Sequence, residues 1–274
     1  MNKPKISIII PTYKPENYVL SCLKSIAEQT YSLAHIEVFL ILNGPRDPYY
    51  NLLQQYIKKY LTVTIQLFYS STKGVSNARN IGLDNSKGDC IIFMDDDDIL
   101  SPTYLNTMIL HFKRGHLVMA KVQVFKENVH AAMNNYMTTN YIRNQKEEHK
   151  TILSIRRNMT LVTAKLYPND IIRGTRFNNN FQHGEDSLFM AQVIVNTNKV
   201  VLADPNAIYY WRLRPNSLSR SKIPFSKDLS NICKLIIQFT KLYSAFPIKL
   251  EYLIFVFLQQ LAIIKGFISR QFKK

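Results

Sequence analysis

The sequence predicts an α/β chain built on a mostly parallel sheet flanked by helices, and three observations predict it. Apolar, β-branched runs recur at 5–11, 36–42, 63–69 and 90–94. Stretches of helical period separate them, over 18–26, 48–60 and 77–85. The runs are continuous rather than alternating, which marks strands covered by helices on both faces.

The elements follow in order. KISIIIP at 5–11 is the first strand, and a turn at 12–16 leads to a helix marked by Tyr18, Leu20, Leu23 and Ile26. IEVFLIL at 36–42 is the second strand, stopped by Asn43, Gly44 and Pro45. VTIQLFY is the third, and CIIFM at 90–94 runs straight into Asp95, Asp96, Asp97 and Asp98. Beyond Pro102 the pattern loosens: a helix over 103–114, a strand over 116–125, then a polar segment at 127–152 that reads as a mobile loop or short helices. A helix at 185–196, a strand at 199–203 and the strand-like AIYYW precede two basic helices, 228–245 and 247–270, separated at Pro247.

Composition narrows the class. The 274 residues are 46% hydrophobic and 20% charged, so the chain is neither disordered nor fibrous. Three cysteines without ligand spacing argue for a reducing compartment, with no disulfide framework and no zinc site. The N-terminal apolar run, Ile6 to Ile10, is ended by Pro11, so no signal peptide is expected. The uninterrupted C-terminal run from Tyr252 to Leu258 is too short to span a bilayer.

The net charge of +16 is unevenly placed. Residues 1–100 are balanced, with 10 basic and 10 acidic side chains; residues 101–274 hold 25 and 9. The surplus suits a polyanionic partner: nucleic acid, an anionic membrane surface or a phosphorylated substrate. The basic residues are dispersed and no recognition motif accompanies them, which argues against nucleic acid.

The acid run carries the chemistry. A solvated turn is the plain reading, but ligands bind at the carboxyl ends of strands in open α/β sheets. Four adjacent carboxylates repel and raise one another's pKa unless a cation sits among them. Hard oxygen donors suit Mg²⁺ or Mn²⁺, which would bridge to a nucleotide diphosphate.

ISIIIPTYKPENYVLSCLKSI, IEVFLILNGPRD and GVSNARNIGLDNSKGDCIIFMDDDDILSP, in this order and spacing, resemble the nucleotide-binding half of glycosyltransferase family 2. KLYPNDIIRGTRF followed by HGEDSLF resembles that family's acceptor-side block, and the resemblance covers roughly 5–220. It implies a GT-A (Rossmann-like) domain over 1–220, with 1–100 as nucleotide-binding half and 101–220 as acceptor-side half, and a basic amphipathic helical region over 221–274. It implies an inverting transfer from a nucleotide-sugar, a UDP-sugar in first place, to a glycan or lipid-linked acceptor in bacterial surface polysaccharide synthesis. The expected location is cytoplasmic, or peripheral on the inner face of the cell membrane.

The resemblance also implies roles. Pro11, Thr12 and Tyr13 contact the nucleotide. Asn43 stands where most members carry the second Asp of an Asp-Asp-Gly turn that binds the base, and Leu42 replaces the first; Asn both donates and accepts. Asp95 and Asp97 occupy the Asp-x-Asp positions, with Asp97 as metal ligand and Asp95 or Asp96 reaching the ribose or sugar. Asp95 is the second candidate ligand for Mn²⁺ or Mg²⁺, and Asp98 orients its neighbours. Arg79 either lines the donor pocket or faces solvent on a helix capped by Ser76 or Asn77. Asp186 is the general base that takes the acceptor hydroxyl's proton. Glu185 beside it contacts substrate or complements the helix dipole. His183 is either structural or part of that site. Arg212, in WRLRPNS, belongs to a basic surface loop or to a mobile one that covers the diphosphate.

Two rivals and one ambiguity stay open. A nucleotidyltransferase shares strand-end aspartates but needs a glycine-rich phosphate loop, and PTYKPEN is not one. A nucleic-acid-binding protein fits the charge alone. The tail, with apolar residues from Leu250 to Ile268 at helical spacing and 12 basic side chains after 210, either packs on the domain or a second subunit or lies on anionic lipid.

Overall fold

The computed structural model describes residues 3–59, 62–147, 151–181, 183–214, 223–245 and 250–272. Its strands are β1 (Ile6–Thr12), β2 (Ile36–Asn43), β3 (Thr64–Ser70), β4 (Cys90–Phe93), β5 (Ile99–Leu100), β6 (His116–Met119), β7 (Lys121–Phe125), β8 (Lys165–Pro168), β9 (Lys199–Leu202) and β10 (Ile208–Arg212). Its α-helices are α1 (Tyr18–Ala27), α2 (Tyr49–Lys58), α3 (Val75–Asn85), α4 (Tyr104–Leu110), α5 (Tyr136–Gln145), α6 (Ile152–Ile155), α7 (Asn169–Ile172), α8 (Glu185–Val195), α9 (Phe225–Ala245) and α10 (Leu250–Phe272).

Seven strands form one sheet in the order β3-β2-β1-β4-β8-β6-β9, and β5-β10-β7 form a smaller one. The first four run parallel, as the continuous apolar runs require; β8 is antiparallel to both neighbours. Alternate residues feed two cores. Ile8, Ile10, Val38 and Leu40 pack with α1 on one face, while Ile9, Phe39, Ile41 and Phe93 meet α3 and α8 on the other. α3 lies so near the sheet that a Cβ on Gly82 would fall 2.4 Å from the Ile9 side chain, so the backbone there must be bare.

Several expectations change. The single strand over 116–125 divides at buried Ala120, whose N–H donates to the Ala164 carbonyl (2.9 Å); β6 stays in the large sheet and β7 enters the small one. The polar segment 127–152 contains α5, started by a capping box in which Asn135 accepts from the Thr138 N–H and the Thr138 hydroxyl accepts from the Asn135 N–H. β8 gave no strand signal because it is four residues long, starts with Lys and ends with Pro. Its Lys165 is buried with its ammonium on the Leu161 and Thr163 carbonyls (2.6 and 3.3 Å), and burial pulls its pKa down to about 7.

The tail packs on the domain. α9 begins at Phe225 and α10 buries Tyr252, Phe255 and Val256 in the core shared with α8. Arg270 near the end of α10 donates twice to the fully buried Asp228 near the start of α9 (2.9 and 3.1 Å), which sets the two helices antiparallel. The opposite face of α10 exposes Leu250, Ile254, Phe257, Leu261, Ile264, Ile268 and Phe272. Counted as a helix, α10 is long and apolar enough to cross a bilayer by length and composition, which the uninterrupted run alone did not indicate. Pro247 lies outside the described residues.

Candidate active site

Thr12 ends β1 and the acid run ends β4, so neighbouring parallel strands deliver them to one place. The four carboxylates take four positions. The Asp95 side chain is 40% exposed, and its N–H donates to the Tyr209 hydroxyl (3.1 Å). Asp96 is buried and accepts a hydrogen bond from the Thr12 hydroxyl. Burial first, and then Asp97, push its pKa up to about 8. Asp97 is ion-paired with Arg214, yet burial and Asp95 still lift it to about 6. Asp98 is fully buried, accepts from the Tyr209 hydroxyl (2.6 Å) and the Arg212 N–H (2.8 Å), and fixes the turn to β10.

Arg212 braces backbone rather than carboxylate. Its Nε donates to the Asp97 carbonyl (2.8 Å) and its guanidinium lies 4.4 Å from the centre of the Phe125 ring. The cation at the Asp97 carboxylate is Arg214, stacked on Tyr18 at 4.7 Å and donating to its hydroxyl (3.0 Å). Arg214 stands in the WRLRPNS motif, where the sequence alone singles out Arg212. Its alternation with Arg212 as β10 ends was the signal. Ser217 in the same motif lies outside the described residues.

Asn43 joins two chain segments. Its Nδ2 donates to the Thr12 carbonyl (2.8 Å) and its Oδ1 accepts from the Gly74 N–H (3.0 Å), so the amide is engaged at both ends. Beside it Gly44 has φ +120°, and a Cβ there would fall 2.5 Å from the Tyr13 ring. The Lys73 ammonium stands 4.6 Å from that ring's centre. Pro11, Thr12 and Tyr13 thus sit together with Asn43 and Lys73 at the mouth of the acid turn.

Arg79 connects the two carboxylate groups. It is 3% exposed, so it does not face solvent. Nη1 donates to Asp186 (2.6 Å) and Nη2 to Asp95 (3.1 Å), with the guanidinium 5.3 Å from the Phe177 ring centre. Neither Ser76 nor Asn77 caps α3, which starts at Val75. Asn77 instead donates to the Ser70 hydroxyl (3.0 Å), and Ser76 is buried inside the first turn. Asp186 and Glu185 open α8 after Gly184 in the left-handed region. Burial raises the Asp186 pKa against the pull of Arg79. Glu185 is pushed up to about 8 by burial and by Asp186. His183 is half-buried, and burial lowers its pKa, as does Arg270.

The donor set suits a hard divalent cation. Asp97 and Asp96 hold protons more tightly than free carboxylates, first because they are buried and then because a neighbouring carboxylate repels each of them, and a cation between them would relieve the second effect. Among the described residues no group of three or more His, Cys, Asp or Glu side chains is placed to hold an ion. One or two carboxylates plus substrate phosphates is a usual complement for Mg²⁺.

A family model described as "Glycosyl transferase family 2" matches residues 7–166. Among curated proteins, the minor teichoic acid biosynthesis protein GgaB of Bacillus subtilis is 26% identical over 83% of this chain and 26% of its own length. The poly(ribitol-phosphate) β-N-acetylglucosaminyltransferase TarS of Staphylococcus aureus is 22% identical over 85% of this chain and 40% of its own. The chain therefore spans about a quarter to two-fifths of those relatives. The crystal structure of TarS 1–349 with UDP-GlcNAc superposes with a TM-score of 0.70 at 19% identity, covering 97% of this chain and 81% of that one. The mannosyltransferase PcManGT of Pyrobaculum calidifontis, in complex with GDP-Man and Mn²⁺, gives 0.65 at 12% identity over 98% and 75%. The architecture is the GT-A fold that the sequence predicts.

Proposed function

Because the chain belongs to glycosyl transferase family 2, we propose that it moves a sugar, with inversion, from a nucleotide diphosphate donor to a hydroxyl of a bacterial surface glycan or of its lipid-linked precursor. The observation that carries this reading is Arg79, one buried guanidinium spanning the acid turn and Asp186. It holds a donor-side and an acceptor-side carboxylate the width of one side chain apart. An inverting displacement needs that arrangement, because nucleophile and leaving group lie on opposite faces of one carbon. UDP is the proposed nucleotide, supported by the likeness to TarS in complex with UDP-GlcNAc. Pro11, Thr12 and Tyr13 line its place, and Asn43 holds that mouth in shape.

Asp97 and Asp95 are the residues that would hold Mn²⁺ or Mg²⁺, and Asp96 would face the ribose or sugar. The ion, when bound, supplies charge neutralisation to the departing diphosphate. Arg214 supplies further positive charge beside Asp97, and Arg212 keeps the turn's backbone in place for both. On the other side Asp186, oriented by Arg79 and by the Val162 N–H (3.4 Å), takes the proton from the attacking hydroxyl. Glu185 contacts the acceptor as a hydrogen-bonding acid or acceptor.

A thermal-shift panel of UDP-, GDP-, CDP- and dTDP-sugars with Mn²⁺ tests the donor. UDP-sugars are expected to raise Tm, and the rise is expected to vanish in excess chelator and in Asp97→Ala. Full nucleotide-sugar affinity in chelator would remove the metal from the reading.

The exposed stripe of α10 supports a peripheral place on anionic membrane, since the other face already packs on the domain. Replacing Phe257, Leu261 and Ile264 with Ser should cut flotation with phosphatidylglycerol vesicles by at least about tenfold while UDP-sugar binding persists. Unchanged flotation would show that the stripe is not the contact.

A further inference from the structure

A cavity of about 160 Å³ lies where the start of α8 meets α9 and α10. It is smaller than the roughly 300–1,000 Å³ of drug-sized sites, and suits a single ring or short polyol. His183, Ser187, Asn231, Gln259 and Arg270 reach it from all three elements. Leu235 and Ile263 supply apolar wall, and Gly266 leaves α10 bare at one edge.

Gln259 is the residue that demands an account. It is 2% exposed, in a helix seam otherwise occupied by Tyr252, Phe255 and Val256. Gln259 lines the cavity, and its buried Nε2 has no hydrogen-bond partner among the described residues. A buried donor without a partner is costly, and a Leu would pack there without that cost. A ligand oxygen in the cavity would satisfy it.

The charges say what kind of ligand. Arg270 is already neutralised by the buried Asp228, through two hydrogen bonds. Burial lowers the His183 pKa, as does Arg270, which favours the neutral ring with one donor and one acceptor. Among the described residues the lining has neutral hydrogen-bonding groups and no free cation, which suits hydroxyls and not phosphate. Gly184 and Ser187, which both line the cavity, bracket Glu185 and Asp186. The cavity therefore opens off the same helix start as the candidate base.

We propose that this cavity is an acceptor-side carbohydrate subsite, holding one uncharged sugar or polyol unit of the acceptor chain next to the unit that is attacked. The proposal rests on the transferase reading above. It also gives the C-terminal helices, which lie outside the segment matched by the family model, a part in choosing the acceptor.

Saturation-transfer NMR on the full chain tests it, with N-acetylglucosamine, glucose and ribitol as separate probes and inorganic phosphate as competitor. Two variants accompany the wild type. Gln259→Leu removes the amide at similar size. Gly266→Leu fills the cavity; a Cβ there meets only the Arg270 guanidinium end, at 3.3 Å, and Leu favours helix. UDP binding with Mn²⁺ is measured calorimetrically on the same samples. At least one probe should receive saturation, each variant should reduce it at least fivefold, and UDP affinity should stay within twofold. No transfer to any probe, transfer unchanged in both variants, or displacement by phosphate would overturn the subsite. UDP binding without sugar binding sinks the cavity alone. Sugar binding that is lost in both variants, in a chain that never binds UDP, keeps the cavity and sinks the donor reading.

Discussion

Asp186→Asn is expected to lower kcat by at least about 100-fold, in line with the roughly 10²–10⁴-fold contribution of a general base. The substitution keeps the shape that Arg79 and the Val162 N–H grip. It removes the ability to take a proton; it also removes the charge that pairs with Arg79 and turns one accepting oxygen into a donor, so the Tm of the variant is measured beside its rate. Donor affinity should stay within a few-fold, because the acceptor hydroxyl lies on the far side of the sugar from the diphosphate. Calorimetry with a UDP-sugar, beside transfer rates to a glycan acceptor, checks both halves. Near wild-type transfer would place the base elsewhere. Glu185, held partly protonated near neutral pH by burial and Asp186, would then be the next candidate.

Arg79→Ala should do more damage, because it strikes stability and chemistry together. The guanidinium is the cation for a nearly buried Asp186 and for the more exposed Asp95. Removing one member of a buried pair leaves an uncompensated charge, at a cost of about 3–5 kcal/mol. For a chain of this size that lowers Tm by on the order of 10 °C. The Asp95 end is wetter and contributes little of this. Arg79→Lys should recover part of the stability and less of the activity, since one ammonium cannot reproduce a fork that reaches two carboxylates. An Arg79→Ala protein that melts within about 2 °C of wild type would show that the two sites do not depend on this bridge.

How far the sequence reveals this molecule depends on the range of the interactions involved. β1 to β4 are legible because each buried strand is a local run of β-branched residues, and the acid turn because it ends one of them. Ala120 is not legible as a boundary. Nothing in its neighbours says that the strand changes sheets there, since the reason is a pairing with Ala164 across 44 positions. α5 is legible only as one of two alternatives for 127–152, without bounds, because its periodicity is weak and its cap, Asn135, looks like any loop residue. Within the site, Arg79 and Asp186 are separately visible as motif members. Their hydrogen bond joins residues 107 positions apart, which only the fold reveals. Asn43 is legible as a base-binding position, while its hydrogen bonds to Thr12 and Gly74, each 31 positions away, are visible only in the fold.

The brace on the acid turn has a consequence for how the chain is made. The residues that tie down Asp97 and Asp98 are Tyr209, Arg212 and Arg214, more than 110 positions downstream. Proteins emerge from the ribosome N-terminus first, at about 5–20 residues per second. β1 to β4 can pair early, but the carboxylates at the end of β4 then have Arg79 and the Thr12 hydroxyl, without the residues of β10 and after, for many seconds. The first hundred residues are neutral in sum and yet acidic at this one point. The turn reaches its native form only when β10 closes the small sheet, so a truncated product ending near residue 200 would keep β1 to β4 and lack a competent nucleotide site.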